Sequence, residues 1–370
     1  MIVGGGVAGL EGALALRDLA GDRASVKLMA ARPEFVYRPM AVREPFSLEV
    51  AHRYPLREIA SDIGAELVQD TLARVDPRAR LVYLESGSEL RYDALLLGLG
   101  AKIRARYEHA VTLDDARLDE LLHGLIQDIE GGYVKRLAFV VPPRMAWPLP
   151  IYELALMTSR RAYDMNVEVA ITIVTPEDAP LAVFGQGASQ AVAELLADDG
   201  IYVIASAYCE IPRSGLIEIS PGERPLEVDR VVALPELDGP AVPGLPQAPD
   251  GFIPVDEHCR VRDTERVYAA GDAVEFAVKH GGIAAQQADA AAEAIAAIAG
   301  APVDPQPFRP SIHGVLLTGE RPRYLSAEIT GGQGFSSELT DEPTWSPPTK
   351  ISARYLAPYL EQLDRARGRA

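Results

Sequence analysis

The stretch that decides the fold opens the chain: Met1-Ile2-Val3-Gly4-Gly5-Gly6-Val7-Ala8-Gly9. Three apolar residues predict a strand, and the segment Leu10–Arg17 after the glycines predicts a helix. The glycines follow the spacing G-x-G-x-x-G, which is typical of a dinucleotide-binding βαβ unit. Gly4 allows a tight turn, Gly6 allows the backbone to approach a pyrophosphate, and Gly9 allows helix and strand to pack closely. The pyrophosphate would accept hydrogen bonds from free N–H groups at the positive end of the helix.

The next segment supports this βαβ unit but departs from its usual form at one position. Ser25–Met29 predicts the second strand. Such units commonly carry an acidic residue about 20 positions further on, where it binds the ribose hydroxyls. Ala30 or Ala31 takes that place here, and Glu34 comes too late. The first strand is also short, which leaves open that the chain starts upstream of Met1.

Composition and charge exclude several classes of function. The 370 residues include 53 Asp and Glu against 36 Lys and Arg, a net charge of −17 that disfavours nucleic-acid binding. The length favours two or three domains. Two cysteines without a C-x-x-C pair exclude a disulfide framework and a four-thiolate metal site. The dispersed histidines predict no metal site. The sequence contains no apolar run long enough to predict a transmembrane helix. No signal peptide is expected before the glycine loop.

A second motif lies far along the chain, in Arg266–Ala273, where an apolar strand ends in Gly271-Asp272. The two motifs together resemble the two-dinucleotide-binding-domain flavoproteins, the FAD-dependent pyridine nucleotide-disulfide oxidoreductase superfamily. The resemblance implies that the glycine loop binds the FAD pyrophosphate and that Gly271-Asp272 binds the ribityl-phosphate end of the flavin. Tyr92–Ala101 is similar to the superfamily's strand and crossover, with Leu99 in place of its threonine.

Two further segments, Phe35–Met40 and Lys279–Gln287, are similar to the branch of sulfide:quinone oxidoreductases and type II NADH dehydrogenases. In that branch the second segment begins a helix whose N-terminus points at the flavin pyrimidine ring. Free N–H groups and the Lys279 ammonium can stabilise the negative charge of a reduced flavin; a solvated surface lysine is the alternative. The resemblance implies these cofactor-binding residues: Gly4, Gly6, Val7, Ala8, Gly9, Ala30, Arg38, Pro39, Thr71, Leu72, Gly98, Gly100, Gly271, Asp272, Lys279, Gly282 and Ile283.

The middle of the chain lacks a second glycine loop. Leu137–Val141 predicts a strand, but the loop over residues 142–150 is rich in proline, which has no N–H to donate to a phosphate. Pro150–Glu153 is similar to the run that starts a helix in sulfide:quinone oxidoreductases, where NAD is not used. Glu177 follows the predicted strand Val169–Val174 and could meet a ribose, so a nicotinamide site stays an alternative.

Sulfide:quinone oxidoreductases also use redox cysteines, and this sequence departs from that pattern. One cysteine is expected just before Pro150, where the nearest match is Trp147. The other is expected near Ser311–Leu316, which contains no cysteine. Cys209 and Cys259 lie elsewhere and are interpreted as incidental. The resemblance therefore implies a flavin site without a cysteine persulfide mechanism.

We expect an α/β protein with two Rossmann-like dinucleotide-binding domains and a C-terminal α+β cap. The predicted ranges are 1–105 and 228–305 for a split FAD-binding domain, 106–227 for the second, NAD-binding-like domain, and 306–370 for the cap or interface segment. The last helix carries an apolar stripe at helical spacing, formed by Tyr355, Leu356, Tyr359, Leu360 and Leu363. Packing of this stripe on the body of the chain or in a homodimer is favoured over peripheral membrane contact.

These features predict an FAD-dependent oxidoreductase similar to sulfide:quinone oxidoreductase. Non-covalent FAD would pass electrons from a small donor to a quinone-like or other acceptor. Lys279 is the candidate that stabilises reduced flavin, and Trp147 and Tyr152 are predicted to line the face where the donor docks. Two alternatives stay open: an NAD(P)H-dependent FAD reductase of the type II NADH dehydrogenase kind, and a structural flavoprotein subunit without turnover. The predicted location is cytoplasmic, with peripheral contact at the inner membrane face as a further expectation.

Overall fold

The computed structural model describes residues 1–48, 50–144, 146–222, 224–330 and 334–368. Within them the α-helices are α1 (Val7–Ala20), α2 (Leu56–Asp62), α3 (Leu118–Glu130), α4 (Leu149–Asp164), α5 (Gln186–Asp198), α6 (Gly281–Ile298) and α7 (Leu356–Ala366). Shorter 3-10 helices span Gly21–Arg23, Arg38–Phe46, Ala182–Phe184 and Gly271–Ala273.

The strands of the first third of the chain are β1 (Ile2–Val3), β2 (Lys27–Met29), β3 (Glu34–Val36), β4 (Arg53–Pro55), β5 (Glu66–Val68), β6 (Leu72–Asp76), β7 (Leu81–Leu84), β8 (Glu89–Arg91), β9 (Leu95–Leu97) and β10 (Lys102–Arg104). The later strands are β11 (Val111–Thr112), β12 (Arg136–Val140), β13 (Ala170–Val174), β14 (Tyr202–Ile204), β15 (Tyr208–Arg213), β16 (Leu216–Ser220), β17 (Leu226–Glu227), β18 (Arg230–Ala233), β19 (Glu236–Asp238), β20 (Val267–Ala269), β21 (Ser311–Leu316), β22 (Arg323–Thr330) and β23 (Gly334–Thr340).

The first sheet has five parallel strands in the order β20-β9-β1-β2-β5. Alternate residues of its strands face opposite sides, so that Ile2 packs under the helices while Val3 faces away from them. Helices α1 and α6 pack against each other and against the first of these sides. Their small residues permit close contact: a Cβ at Gly12 would lie 2.4 Å from Leu96 Cδ2. The antiparallel sheet β6-β7-β8 packs on the other side of the parallel sheet.

The second sheet repeats this plan with five parallel strands in the order β11-β18-β12-β13-β14. It has its own antiparallel sheet, β15-β16-β17. The two related α/β units agree with the predicted pair of Rossmann-like domains, and the predicted fold class is confirmed by this architecture. One boundary needs correction. Strand β18 belongs to the second sheet, so this domain continues past residue 227, where the sequence placed its end.

The C-terminal part forms an antiparallel sheet, β21-β22-β23, within the range where the sequence predicts an α+β cap. This sheet packs on α4 and on the core of the second domain through Ile312, Leu316 and Leu325. Helix α7 returns to the first domain instead, where Leu356 and Leu360 are buried against the α1 and α6 side of the sheet. The apolar stripe of α7 is therefore used within the chain. Among the described helices, none is both long enough and apolar enough to cross a bilayer.

Candidate active site

The carboxyl ends of the parallel strands in the first sheet meet at one edge, which is where open α/β sheets bind ligands. Gly4 follows β1, Ala30 follows β2, Gly98 follows β9 and Gly271 follows β20. Backbone hydrogen bonds join these turns: the N–H of Gly4 donates to Met29 O over 2.8 Å, that of Gly98 to Val3 O over 2.8 Å, and that of Ala270 to Leu97 O over 2.9 Å. The topology thus brings together most of the residues predicted to contact a cofactor.

The glycines of the first loop have different structural roles. Gly4 has a φ of 122°, and a Cβ there would lie 2.1 Å from Gly98 O. A Cβ at Gly9 would lie 1.8 Å from Gly4 O. These two glycines are needed for the protein's own packing. Gly6 differs, because a Cβ built there has no atom within 4 Å. Gly6 therefore borders open space at the N-terminus of α1, where no side chain caps the helix.

That open space fits the phosphate groups of a dinucleotide. The first N–H groups of a helix have no partner within the helix, and their dipoles favour an anion. Arg38, at the start of a 3-10 helix, adds a positive charge that acts on Asp272 and Asp115. Burial raises the pKa of Asp272, while Lys279 and Arg38 oppose that shift. Arg38 and Lys279 therefore act on the carboxyl group of Asp272, whose turn lies against Ala8 in the first turn of α1.

The Gly271-Asp272 turn is held in place by a residue that the sequence analysis did not predict to belong to the site. Gln287 is buried on α6, and its Oε1 accepts a hydrogen bond of 2.8 Å from the N–H of Gly271. Gly271 has a φ of 78° and approaches Ala284 of α6 and Ala8 of α1, each about 3.2 to 3.3 Å from a Cβ built at this glycine. The turn is therefore fixed between the two helices. A polar residue on the buried face of an alanine-rich helix was the available sequence signal.

The N-terminus of α6 is closed by its own residues and by the C-terminal segment. His280 caps it, since its Nδ1 accepts a hydrogen bond of 3.2 Å from the N–H of Gly282. Burial lowers the pKa of His280 to about 3, so this imidazole is neutral at neutral pH. Gly281 packs against Ile351, which would be 2.9 Å from a Cβ at that position. The side chain of Ile283 is buried, so only its backbone could contact a cofactor.

Lys279 lies between α6 and the Gly271-Asp272 turn. Its ammonium donates to Val274 O and sits 3.8 Å from the centre of the Phe252 ring. Burial lowers the pKa of Lys279 to about 8, and the charge of Asp272 opposes that shift. A lysine with such a pKa can hold or release a proton near neutral pH. The structure therefore places Lys279 beside the cofactor-binding edge, and its role towards a reduced flavin stays a prediction.

Trp147 and Tyr152, predicted to line one face, have separate environments. Trp147 is half-buried, with its ring centre 4.4 Å from that of His280 and 5.6 Å from that of Phe184. This places it beside the N-terminus of α6. Tyr152 is fully buried on α4, and its hydroxyl donates a hydrogen bond of 2.6 Å to Glu177 Oε2. The prediction that Tyr152 lines a donor face is therefore wrong, because its side chain belongs to the core of the second domain.

Glu177 does not face an open site either. Its side chain is only 5% exposed and also accepts a hydrogen bond of 2.9 Å from Thr175 Oγ1. Burial raises its pKa, while the hydrogen bond from Tyr152 opposes that shift. Phe184 is buried close by, and Gly314 of β21 packs directly on its ring, which would be 2.7 Å from a Cβ there. The C-terminal sheet thus covers Phe184, and Glu177 forms its hydrogen bonds within the core of the second domain.

Neither cysteine has the surroundings of a reactive thiol. Cys209 and Cys259 are both free and buried. Burial raises the pKa of both thiols, that of Cys259 to about 12. Cys209 lies on β15, where its Sγ is 3.7 Å from the hydroxyl of Tyr107, and Cys259 lies in the core of the first domain. The described residues contain no group of three or more metal-ligating side chains.

A buried ion pair near the predicted site was also not predicted from the sequence. Lys350 Nζ lies 2.7 Å from the carboxylate of Glu153 and donates a hydrogen bond of 2.9 Å to Pro39 O. Glu153 Oε1 accepts a further hydrogen bond of 2.9 Å from the N–H of Leu317. Lys350 thus joins α4 and the Arg38–Phe46 helix to the C-terminal segment. Nothing in the sequence signals this pair, because its members lie 197 positions apart.

The remaining predicted residues lie around the same edge. Val7 and Ala8 form the first turn of α1, and Gly100 has a φ of 71° with no atom within 4 Å of a Cβ built there. Thr71 is exposed just beyond the carboxyl end of β5, and Leu72 is half-buried beside it. Pro39 contributes its carbonyl to the Lys350 contact. These placements agree with an extended cofactor lying along the edge, which is what the resemblance implies.

Comparison with known proteins gives a consistent result. Residues 153–294 match the family described as pyridine nucleotide-disulphide oxidoreductase. The sulfide-quinone reductase of Aquifex aeolicus is 26% identical over 221 residues, which cover 56% of this chain and 50% of that protein. The chain thus spans about half the length of this curated relative in the match.

Solved structures extend the similarity to the whole fold. The sulfide:quinone oxidoreductase from Aquifex aeolicus has a TM-score of 0.84 at 21% identity, covering 100% of this chain and 90% of that one. An NAD-dependent persulfide reductase from A. fulgidus has a TM-score of 0.65 at 20% identity, covering 90% of this chain and 64% of that one. A ferredoxin reductase from Rhodopseudomonas palustris has a TM-score of 0.68 at 20% identity, covering 90% of this chain and 83% of that one.

The chain has the fold of the solved sulfide:quinone oxidoreductase, with two α/β units built on parallel sheets. More particularly, residues 153–294 match the pyridine nucleotide-disulphide oxidoreductase family, which agrees with the resemblance predicted from the sequence. A sulfide:quinone oxidoreductase is among its relatives both by sequence and by structure.

Proposed function

We propose that this protein is an FAD-dependent oxidoreductase similar to sulfide:quinone oxidoreductase. It would pass electrons from a small donor through non-covalent FAD to a quinone or another acceptor, without a cysteine persulfide. The observation that carries the proposal is the uncapped N-terminus of α1 beside the open space at Gly6, at the carboxyl edge of the first sheet. The likeness to a sulfide:quinone oxidoreductase along the whole chain supports it.

FAD would supply the two-electron redox chemistry, and the chain would supply binding and electrostatics. The N–H groups at the start of α1 would hold the pyrophosphate, and Arg38 would offset part of its charge. Asp272 would accept hydrogen bonds from the sugar-alcohol hydroxyls while Gln287 keeps its turn in place. Lys279, whose pKa of about 8 keeps it mostly protonated at neutral pH, would hold a positive charge beside the redox-active ring.

The absence of a persulfide step follows from the two thiols. A thiolate is the nucleophile in sulfur transfer, and burial raises the pKa of both thiols here, which keeps them protonated at neutral pH. Trp147 stands where the branch has one cysteine, packed on His280 at the start of α6. The donor would therefore act on the flavin directly, at a face bordered by Trp147.

The NAD(P)H alternative is disfavoured by the second domain. Its loop after β12 is rich in proline, and Glu177 is tied to Tyr152 and Thr175 in the core. An adenosine could bind there only after these groups and the C-terminal sheet had moved. The alternative of a structural flavoprotein subunit predicts the same FAD binding. It differs from the proposal only in that its FAD would not be reduced and reoxidised in turnover. A cytoplasmic location, with peripheral contact at the inner membrane face as a further expectation, and a quinone-like or other acceptor remain part of the proposal.

Anaerobic titration of the FAD-reconstituted protein tests this proposal. The visible flavin bands should persist with NADH and NADPH but bleach with a small reductant such as sulfide or a hydroquinone, and return on addition of a soluble quinone. The double variant Cys209→Ala, Cys259→Ala should behave like the wild type. Rapid bleaching by NADH would favour the alternative reductase. Failure to bind FAD would refute the proposal, and FAD that no donor reduces would leave only the structural subunit.

A further inference from the structure

The C-terminal helix is attached to the first domain by an arrangement that the redox function does not require. Glu11 is completely buried on α1. Its two carboxyl oxygens accept hydrogen bonds from the first N–H groups of the α7 segment, 2.9 Å from Tyr355 N and 2.5 Å from Leu356 N. A carboxylate in this position caps the helix and complements its dipole. The contact links residues that are more than 340 positions apart in sequence.

A second carboxyl group lies against the first. Asp289, on the neighbouring helix α6, is within hydrogen-bonding reach of the Glu11 carboxyl. The Oδ1 of Asp289 is buried and finds no hydrogen-bond donor among the described residues. Two ionised carboxylates in contact repel each other strongly in a buried site, so such a pair holds a proton between them. A protonated Asp289 can donate to Glu11, which leaves both Glu11 oxygens available for the helix N–H groups.

The charged groups around the pair are few. From α1, Asp18 reaches only the hydroxyl of Tyr355, over 3.4 Å. From α6, Glu293 adds negative charge near Asp289 but is occupied by the N–H of Gln306 at 2.9 Å. From the C-terminal segment, Arg354 supplies the nearby positive charge and lies 3.9 Å from Glu293. These are the groups that face the pair from the elements packed on it.

The attached segment also reaches the α6 N-terminus. Ile351 packs on Gly281, and Ser352 O lies 3.4 Å from a Cβ built at Gly282. Lys350, just before them, forms the buried pair with Glu153. Release of the Glu11 contact would therefore loosen the residues that cover the end of α6 beside the predicted cofactor edge.

We propose that Glu11 and Asp289 share one proton and act as a pH-sensitive latch that holds α7 and the segment before it on the first domain. The proton is bound more tightly in the docked state than in an undocked state where water reaches both groups. Burial and the charge of Glu11 raise the pKa of Asp289 to about 8 in the docked state. Docking is consequently strongest at low pH and weakens as pH rises from the ordinary carboxyl range to about 8, above which it no longer changes.

Hydrogen exchange of the full-length protein tests the latch. Protection factors, corrected for the intrinsic exchange rate, are measured for α7 and for the reference helix α3 at several pH values from about 5 to 9. The protection of α7 should fall by up to tenfold per pH unit below about pH 8, which is the limit for one proton, while that of α3 stays constant. Protection of α7 that does not depend on pH would overturn the proposal.

Two variants assign the effect. Asp289→Asn keeps the shape and donates permanently to Glu11, so α7 should be protected at every pH as it is in the wild type at low pH. Glu293→Gln removes a neighbouring carboxyl outside the pair. The pH dependence of α7 protection should remain, with its upper limit at a somewhat lower pH, because a charge that raises the pKa of Asp289 is lost. A pH dependence that persists in Asp289→Asn, or that disappears in Glu293→Gln, would refute the assignment. These measurements need no cofactor, so they can fail without affecting the proposed redox function.

Discussion

Replacing Gly6 by alanine should separate cofactor binding from folding. Gly6 precedes α1 with a φ of −92° and a ψ of −169°, an extended conformation that alanine adopts without strain. A Cβ built there has no atom within 4 Å, so the methyl group displaces nothing in the protein. It would instead occupy part of the open space in which we propose that the pyrophosphate lies.

The expected magnitudes follow from this geometry. Loss of glycine at a helix N-cap costs at most about 1 kcal/mol, and the lower conformational entropy of unfolded alanine offsets about 0.4 to 1 kcal/mol of that. The free energy of unfolding should therefore change by less than about 1 kcal/mol in either direction. A phosphate displaced by the methyl group loses at least one charge-assisted hydrogen bond, about 1.5 to 3 kcal/mol. FAD should consequently bind about 10- to 150-fold more weakly.

Fluorescence titration of the apoprotein with FAD, alongside urea unfolding of the same sample, measures both quantities. Gly9→Ala is the matched control, because its Cβ would lie 1.8 Å from Gly4 O and must displace the backbone. That variant should lose stability as well as FAD binding. If Gly6→Ala binds FAD as tightly as the wild type, the pyrophosphate does not lie beside Gly6. If it unfolds instead, the space at Gly6 is not open.

Three further substitutions test other contacts. Glu153→Gln should lower the free energy of unfolding in urea by about 3 to 5 kcal/mol, because it leaves the buried Lys350 ammonium without its counter-charge. Glu361→Gln, which breaks an exposed ion pair with Arg365, should lower it by less than about 1 kcal/mol. Gln287→Leu should weaken FAD binding in the same titration, since the buried N–H of the Gly-Asp turn loses its acceptor at a cost of about 1 to 3 kcal/mol. Tyr152→Phe should lower the melting temperature but leave the flavin spectrum and its reduction unchanged; an altered rate of flavin reduction would return this tyrosine to the donor face.

The first domain could be predicted in detail because its determinants are local. The glycine spacing after β1 and the Gly271-Asp272 pair after β20 each specify a strand, a turn and a helix within about ten residues. Parallel strands then bring their carboxyl ends together, whatever the structure of the segments that connect them. That is why residues as distant as Gly4, Ala30 and Gly98 meet at one edge as expected.

The contacts that escaped prediction depend on tertiary packing. From the sequence, Lys350 is expected to be an ordinary basic residue in a loop. Only the tertiary fold brings it next to Glu153 on α4. Glu11 reads as a polar residue of an amphipathic helix, and only the return of the chain from the C-terminal sheet places α7 above it. The Pro150–Glu153 motif predicts that Tyr152 lines the donor face. Helical periodicity cannot show which neighbouring element covers that side of the helix.

The two domains share one topology but differ in what lies at the carboxyl edge of each sheet. In the first, small residues keep the helix N-terminus uncapped and the space beside Gly6 open. In the second, proline replaces the N–H donors, and Tyr152, Glu177 and Phe184 fill the equivalent edge under the C-terminal sheet. Opening this edge would expose apolar core and break the hydrogen bonds that Glu177 Oε2 accepts from Tyr152 and Thr175. If the proposed function is right, the second domain supports the C-terminal cap, and the donor reaches the cofactor from the side bordered by Trp147.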